Sequence, residues 1–160
     1  MTLLLLTAAL AVFGQQTDRD KVDRRELASY RLTTADFEHF RDASSRIAIV
    51  IAGDASFRAQ PLFSEAITQG DDVTEARATL EARLRNHAGL AEALTAAKMS
   101  ARDYTKCALT LVAARLALGF LDSGVLKTVP PGAAADNVAF VRAHRMAVDE
   151  MLQDLAIEIR

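Results

Sequence analysis

His39, His87 and His144 are the only histidines of this chain, and Cys107 is its only cysteine. A helical metal centre built from such residues needs two histidines three or four positions apart, and a ferritin-like di-iron centre needs Glu-x-x-His on two helices. Neither spacing occurs. His39 falls among Asp36, Glu38 and Asp42, on the side of its helix away from the apolar residues, which predicts a solvated ring. His87 follows Arg85 and Asn86 at a helix end, where an imidazolium suits the helix dipole. His144 is different, because it interrupts an apolar stripe. It is either a core histidine hydrogen-bonded to another helix or a contact for a ligand or metal.

Arg115 raises the same question. It lies in Cys107–Leu121, a stretch in which Thr110 is the only other polar residue. A charge there must reach solvent or find a carboxylate. Its roles are a structural ion pair, or an anion contact inside a pocket between helices. Asp122 is not at helical pairing distance, so a partner must come from another segment. His144 and Arg115 are therefore the candidate ligand-binding residues. Cys107, beside Ala108, Leu109, Leu111 and Val112, reads as a buried thiol acting as a small apolar residue.

Enzymatic patterns do not appear. The chain has no Gly-rich phosphate loop, no Gly-x-Ser-x-Gly and no Cys-x-x-Cys-His. The acidic pairs Asp71-Asp72 and Asp149-Glu150 read as capping and solubility. No catalytic residue, metal ligand or cofactor is assigned. Net charge is −2, from 19 basic and 21 acidic residues that are interspersed, so no basic stripe exists to collect phosphates and nucleic-acid binding is disfavoured. Trp is absent and aromatics are few, which disfavours carbohydrate and base-stacking surfaces.

The elements that must position these residues read as helices. Ala and Leu dominate, and Gly and Pro punctuate periodic segments. A first helix starts at Thr33, with Asp36 as its capping-box partner and Leu32 with Phe37 as a hydrophobic staple. Phe37, Phe40, Ser44, Ile47 and Ile51 form its inner face, and Gly53 ends it. Pro61 opens a short helix through Ile67, closed by Gly70. Asp72 and Glu75 start a second main helix to about Asn86, with Val73, Ala76, Leu80 and Leu84 inward. Leu90–Ala97 forms a short helix after Gly89. A third main helix is capped by Ser100 and Asp103, stapled by Met99 and Tyr104, and stopped by Gly124. It is apolar on most of its circumference, which places it in the middle of the bundle. Pro130-Pro131-Gly132 signals a type II turn. Asp136 or Asn137 caps the last helix, whose core face is Val141, His144, Val148, Leu152, Leu155 and Ile159, widened by Phe140, Ala147 and Met151.

Leu3–Phe13 holds one polar residue, Thr7, and gives way to Gln15, Gln16 and dense charge. That profile predicts a secretory signal peptide at residues 1–14, cut after Gly14 and leaving Gln15 first. Cutting after Ala11 is the alternative site. Met1-Thr2 carries no basic residue, which a start codon assigned downstream of the true one would explain. The competing reading is a buried N-terminal element. A membrane span needs about 20 apolar residues, more than this stretch holds. Residues 15–31 form a charged segment, mobile or a loosely attached helical turn, and 32–160 form one helical domain. With one cysteine no intrachain disulfide forms.

The leader, Tyr30-Arg31-Leu32-Thr33, the Ser100-x-x-x-Tyr104 opening, and Val129-Pro130-Pro131-Gly132 followed by Asn137-Val138-Ala139-Phe140-Val141-Arg142 resemble an uncharacterised group of small exported bacterial proteins. The resemblance spans most of residues 30–142. It implies export, a bacterial source and a helical fold, and transfers no functional residue. It also implies a glycine before Met99-Ser100, where this chain has Lys98.

These readings converge on an all-α, compact bundle of four main helices plus short connecting ones, exported to the periplasm or beyond. The expected function is a non-enzymatic interaction or binding module for an unknown protein partner, with no integral membrane span in the mature chain. The alternative is a carrier of a small apolar ligand held between helices, with His144 or Arg115 as the polar contact. That alternative requires an enclosed apolar cavity near His144.

Overall fold

A computed structural model describes residues 25–63, 73–130 and 133–155. Among these every regular element is a helix, so the chain is all-α. The leader, the Pro61–Ile67 helix beyond residue 63, the cap at Asp72, the turn at Pro131-Gly132 and the core position at Ile159 lie outside the described residues.

Residues 25–29 are helical. They are followed by α1 (Thr34–Gly53), α2 (Ser56–Ala59), α3 (Val73–Asn86), α4 (Ala88–Ala96), α5 (Ala101–Asp122), α6 (Ala135–Ala143) and α7 (Arg145–Asp154). The starts of α1 and α5 follow the same chemistry. Thr33 Oγ1 accepts the Asp36 amide at 3.1 Å and its hydroxyl donates to the Asp36 carboxylate at 2.8 Å. Ser100 does the same with Asp103, at 3.0 and 2.7 Å. Each cap satisfies one of the free amides of a first turn. At the far end of α5, Gly124 takes φ +75°, the left-handed stop that its type makes cheap.

Helix α5 is the hub. It packs against α1, α3, α4 and α6. Tyr104, Cys107, Ala108, Leu111, Ala114, Ala117 and Leu118 are buried along it. By length and composition α5 could cross a membrane, yet here its apolar length is spent on neighbouring helices. Across from it α1 buries Phe37, Phe40, Ala43, Ser44 and Ile47. Phe40 and Tyr104 meet with ring centroids 4.6 Å apart. Helices α4 and α7 also pack on α1, so α1 and α5 form the central pair.

Two features depart from the sequence expectation. The last helix is two, because the chain breaks at His144, which takes φ −110° and ψ 21° between α6 and α7. The apolar period carries across the break, so Val141 and Val148 are both fully buried. Neither Asp136 nor Asn137 caps α6. The helix opens at Ala135, behind Ala134, with no side-chain cap. Asn137 instead points inward, 3% exposed. Its Oδ1 accepts the Leu32 amide and its Nδ2 donates to the Tyr30 carbonyl, both at 2.9 Å.

The described part of the charged segment is tied down as well. Glu26 accepts from Arg102 at 2.8 Å and from Arg77 at 2.9 Å. Those hydrogen bonds, Arg102 first, hold its carboxyl below the usual range against the opposing effect of burial. Arg77 is 4% exposed and also pairs with Glu81 at 3.0 Å. Tyr30 lies under the Lys106 ammonium, 5.0 Å from its ring centroid.

Candidate functional site

Helix α5 carries Arg115 on the side that meets the end of the chain. Its side chain is 18% exposed and grips Asp149 of α7 with two parallel hydrogen bonds, Nε to Oδ1 at 2.5 Å and Nη2 to Oδ2 at 3.3 Å. A planar guanidinium facing a carboxylate in this way is a strong, orientation-specific pair. Asp149 also lies 3.8 Å from Arg145. Asp149 is therefore not the solvating residue the sequence suggested. It is the partner that Arg115 required.

His144 occupies the joint between α6 and α7. Its ring stacks at 4.4 Å from Phe140 and 5.8 Å from Phe37, centroid to centroid. Among the described residues its ring nitrogens meet no hydrogen-bond partner. The expected bond to another helix is thus replaced by aromatic packing.

His39 is exposed, as its acidic neighbours implied. His87 behaves otherwise than expected. Its side chain serves not the end of α3 but the start of α4, as the N-cap, with Nδ1 accepting the Leu90 amide at 3.3 Å. Its Nε2 lies 3.0 Å from the Asp54 carboxylate. That hydrogen bond, with those from Ser56, holds the Asp54 carboxyl down at about 2.

Cys107 is fully buried, and desolvation pushes its thiol up to about 12. A thiol so protonated is a poor nucleophile and a poor metal ligand. Tyr104 is also enclosed, its phenol raised by burial, and its hydroxyl meets Ser44 Oγ at 3.2 Å. Thr105 and Thr110 bury their hydroxyls on α5, without a hydrogen-bond partner among the described residues. Among the described residues no group of three His, Cys, Asp or Glu side chains could hold a metal ion.

A cleft of about 260 Å³ opens between α1 and α7, lined by Arg41, Ser44, Ser45, Ala147, Glu150, Met151 and Asp154. It is open and substantially polar, and neither His144 nor Arg115 lines it. The enclosed apolar cavity that a carrier would need is not this one.

The apolar surface lies elsewhere. After Gly124 the chain folds back, and the Leu126 amide donates to the Phe120 carbonyl at 3.0 Å. Phe120 and Val125, 46% and 70% exposed, stand at this end of α5. Asp122 accepts from Arg145 at 2.9 Å, which brings the start of α7 to the same end. There Met146 is 88% exposed. The sequence marks α5 as apolar on most of its circumference and gives Met146 no role, because period alone does not say which apolar face a neighbour leaves open.

Comparison with protein-family models, with curated proteins and with solved structures gives no match.

Proposed function

We propose that this protein is a non-enzymatic interaction module. The observation that carries the proposal is the exposure of Phe120 and Val125 where α5 stops and of Met146 where α7 starts, two points that the Asp122–Arg145 pair joins. Asp122, Arg142 and Arg145 pair beside them and supply a polar rim. Exposed apolar groups beside paired charges suit a protein-binding surface. The groups with chemical potential are meanwhile engaged in holding the fold: Arg115 on Asp149, His87 on Leu90 and Asp54, and Cys107 in the core. The leader, read from sequence alone, supports export and places the partner in the periplasm or outside the cell.

A photo-crosslinking residue at position 120, introduced in the native host, tests the reading. One discrete adduct is expected, and it should be lost when Met146→Asp is added. The same crosslinker at exposed Glu150, on the cleft side, should give none. Equal adducts from both positions, or none from position 120, would overturn the assignment. N-terminal sequencing of the native protein should begin near Gln15. Recovery of intact Met1 in the cytoplasm would refute export.

A further inference from the structure

His87 serves two helices at once. Its backbone amide donates to the Arg83 carbonyl at 3.2 Å and closes α3, while its side chain caps α4. Its two ring contacts assign the tautomer. A nitrogen that accepts an amide proton must present a lone pair, so Nδ1, 3.3 Å from the Leu90 amide, is bare. The proton of the neutral ring then sits on Nε2 and is donated to Asp54 at 3.0 Å. N-caps are ordinarily Ser, Thr, Asp or Asn, whose oxygens accept throughout the neutral range. A histidine cap accepts only while its ring is uncharged.

We propose that the α3–α4 junction is a proton-responsive joint: neutral His87 locks the first turn of α4, and protonation of Nδ1 sets a second donor against the Leu90 amide and releases that turn.

The surroundings fix the sense of the change. Asp54, at the end of α1, stays an anion across the range in which an imidazole titrates, so it anchors Nε2 in both charge states. On α2 the charged residue is Arg58. On α3, Arg83 donates to the carbonyls of Gln60, Pro61 and Leu62, and Arg85 pairs with Glu81. On α4 the charged residue is Glu92, beyond the first turn. Phe57 packs on the His87 ring with centroids 5.1 Å apart. The ring is therefore held in place while Nδ1 changes from acceptor to donor.

The released turn bears on the core. Leu90 is fully buried, and a Cβ on Gly89 would stand 3.1 Å from Val50 of α1. Loosening this turn relaxes the contact between α4 and α1.

The test is amide exchange at Leu90 in the intact protein, corrected for the intrinsic rate at each pH. The range runs from above to below the ordinary histidine value of about 6.5. Opening at Leu90 should rise about five- to tenfold on acidification, the size of one lost cap, while the Leu111 amide stays unchanged. His87→Asn keeps an accepting oxygen that does not titrate, and should hold Leu90 protected throughout. Nitrogen NMR of the wild-type ring should find the neutral-state proton on Nε2. A proton on Nδ1, a flat Leu90 profile, or the same rise in His87→Asn would each overturn the proposal.

Discussion

Asn137 acts as a strand of backbone for Leu32. Its amide group accepts the Leu32 N–H and donates to the Tyr30 carbonyl, so one side chain from α6 pairs both faces of a segment 105 residues earlier. The segment thereby gains two bonds that no helix offers it. Asn137→Ala should cost about 2–3 kcal/mol, because Leu32 is buried and its amide would lose its partner. Urea unfolding checks this. Asn137→Asp keeps the acceptor but sets a buried carboxylate oxygen against the Tyr30 carbonyl, and should cost at least as much.

Arg115 and Asp149 should behave as one unit. A double-mutant cycle of Arg115→Met and Asp149→Asn should return a coupling of about 1 kcal/mol, the upper range for half-exposed pairs. A coupling of zero would show that Asp149 is not what Arg115 is there for, and would return Arg115 to the list of ligand contacts.

The His144 ring packs against Phe37 and Phe140, and among the described residues its nitrogens meet no hydrogen-bond partner. His144→Leu should therefore give a folded protein within about 1 kcal/mol of the wild type, as apolar exchanges of similar volume do. Loss of a bound metal or cofactor on this exchange would reverse the reading and favour the carrier.

Lys98 takes φ 55°, the left-handed region that favours glycine. It sits at the C-terminal stop of α4, where its amide donates to Thr95 and the Met99 amide to Leu94, both at 3.0 Å. A side chain costs about 1 kcal/mol in that conformation. Lys98→Gly should raise stability by about that amount, measured by thermal or urea unfolding. The glycine implied by the sequence resemblance falls at this residue.

Cys107 and Leu111 report on the hub. Both are fully buried. Leu111→Ala should cost about 2–5 kcal/mol. Cys107 should react with thiol reagents at a rate set by unfolding. Its raised thiol also gives a pH signature. Folding favours the protonated form, so its contribution is complete below the unfolded value of about 8.5 and declines as pH rises toward about 12. Cys107→Ala should flatten part of that alkaline loss.

The caps of α1 and α5 were legible because a cap is written within four residues: Thr33 with Asp36, Ser100 with Asp103. Gly124 was legible for the same reason. Asn137 was misread as a cap because its true partners, Leu32 and Tyr30, are distant in sequence. The break at His144 was invisible because Val141, Val148 and Leu152 keep a helical period across it. His87 was misassigned because a histidine after a basic turn suits a helix end by charge, whereas here its lone pair opens the next helix. The need for a partner to Arg115 could be read from its apolar setting, but Asp149 could not, since pairing across helices leaves no local mark. For the apolar surface, period marks α5 as apolar nearly all round, and only the packing reveals that Phe120 is uncovered.

The break at His144 also bears on the order of assembly. It lets one continuous stretch serve two hosts, α6 lying on α5 and α7 lying on α1. Helix α7 rests on α1 while its Asp149 is gripped by Arg115 of α5, so its seat is complete only when those two helices are together. During synthesis α7 emerges after α1 and α5, so the surfaces it packs against precede it. Helix α7 is thus a latch across that pair. In unfolding it should be the first part to let go.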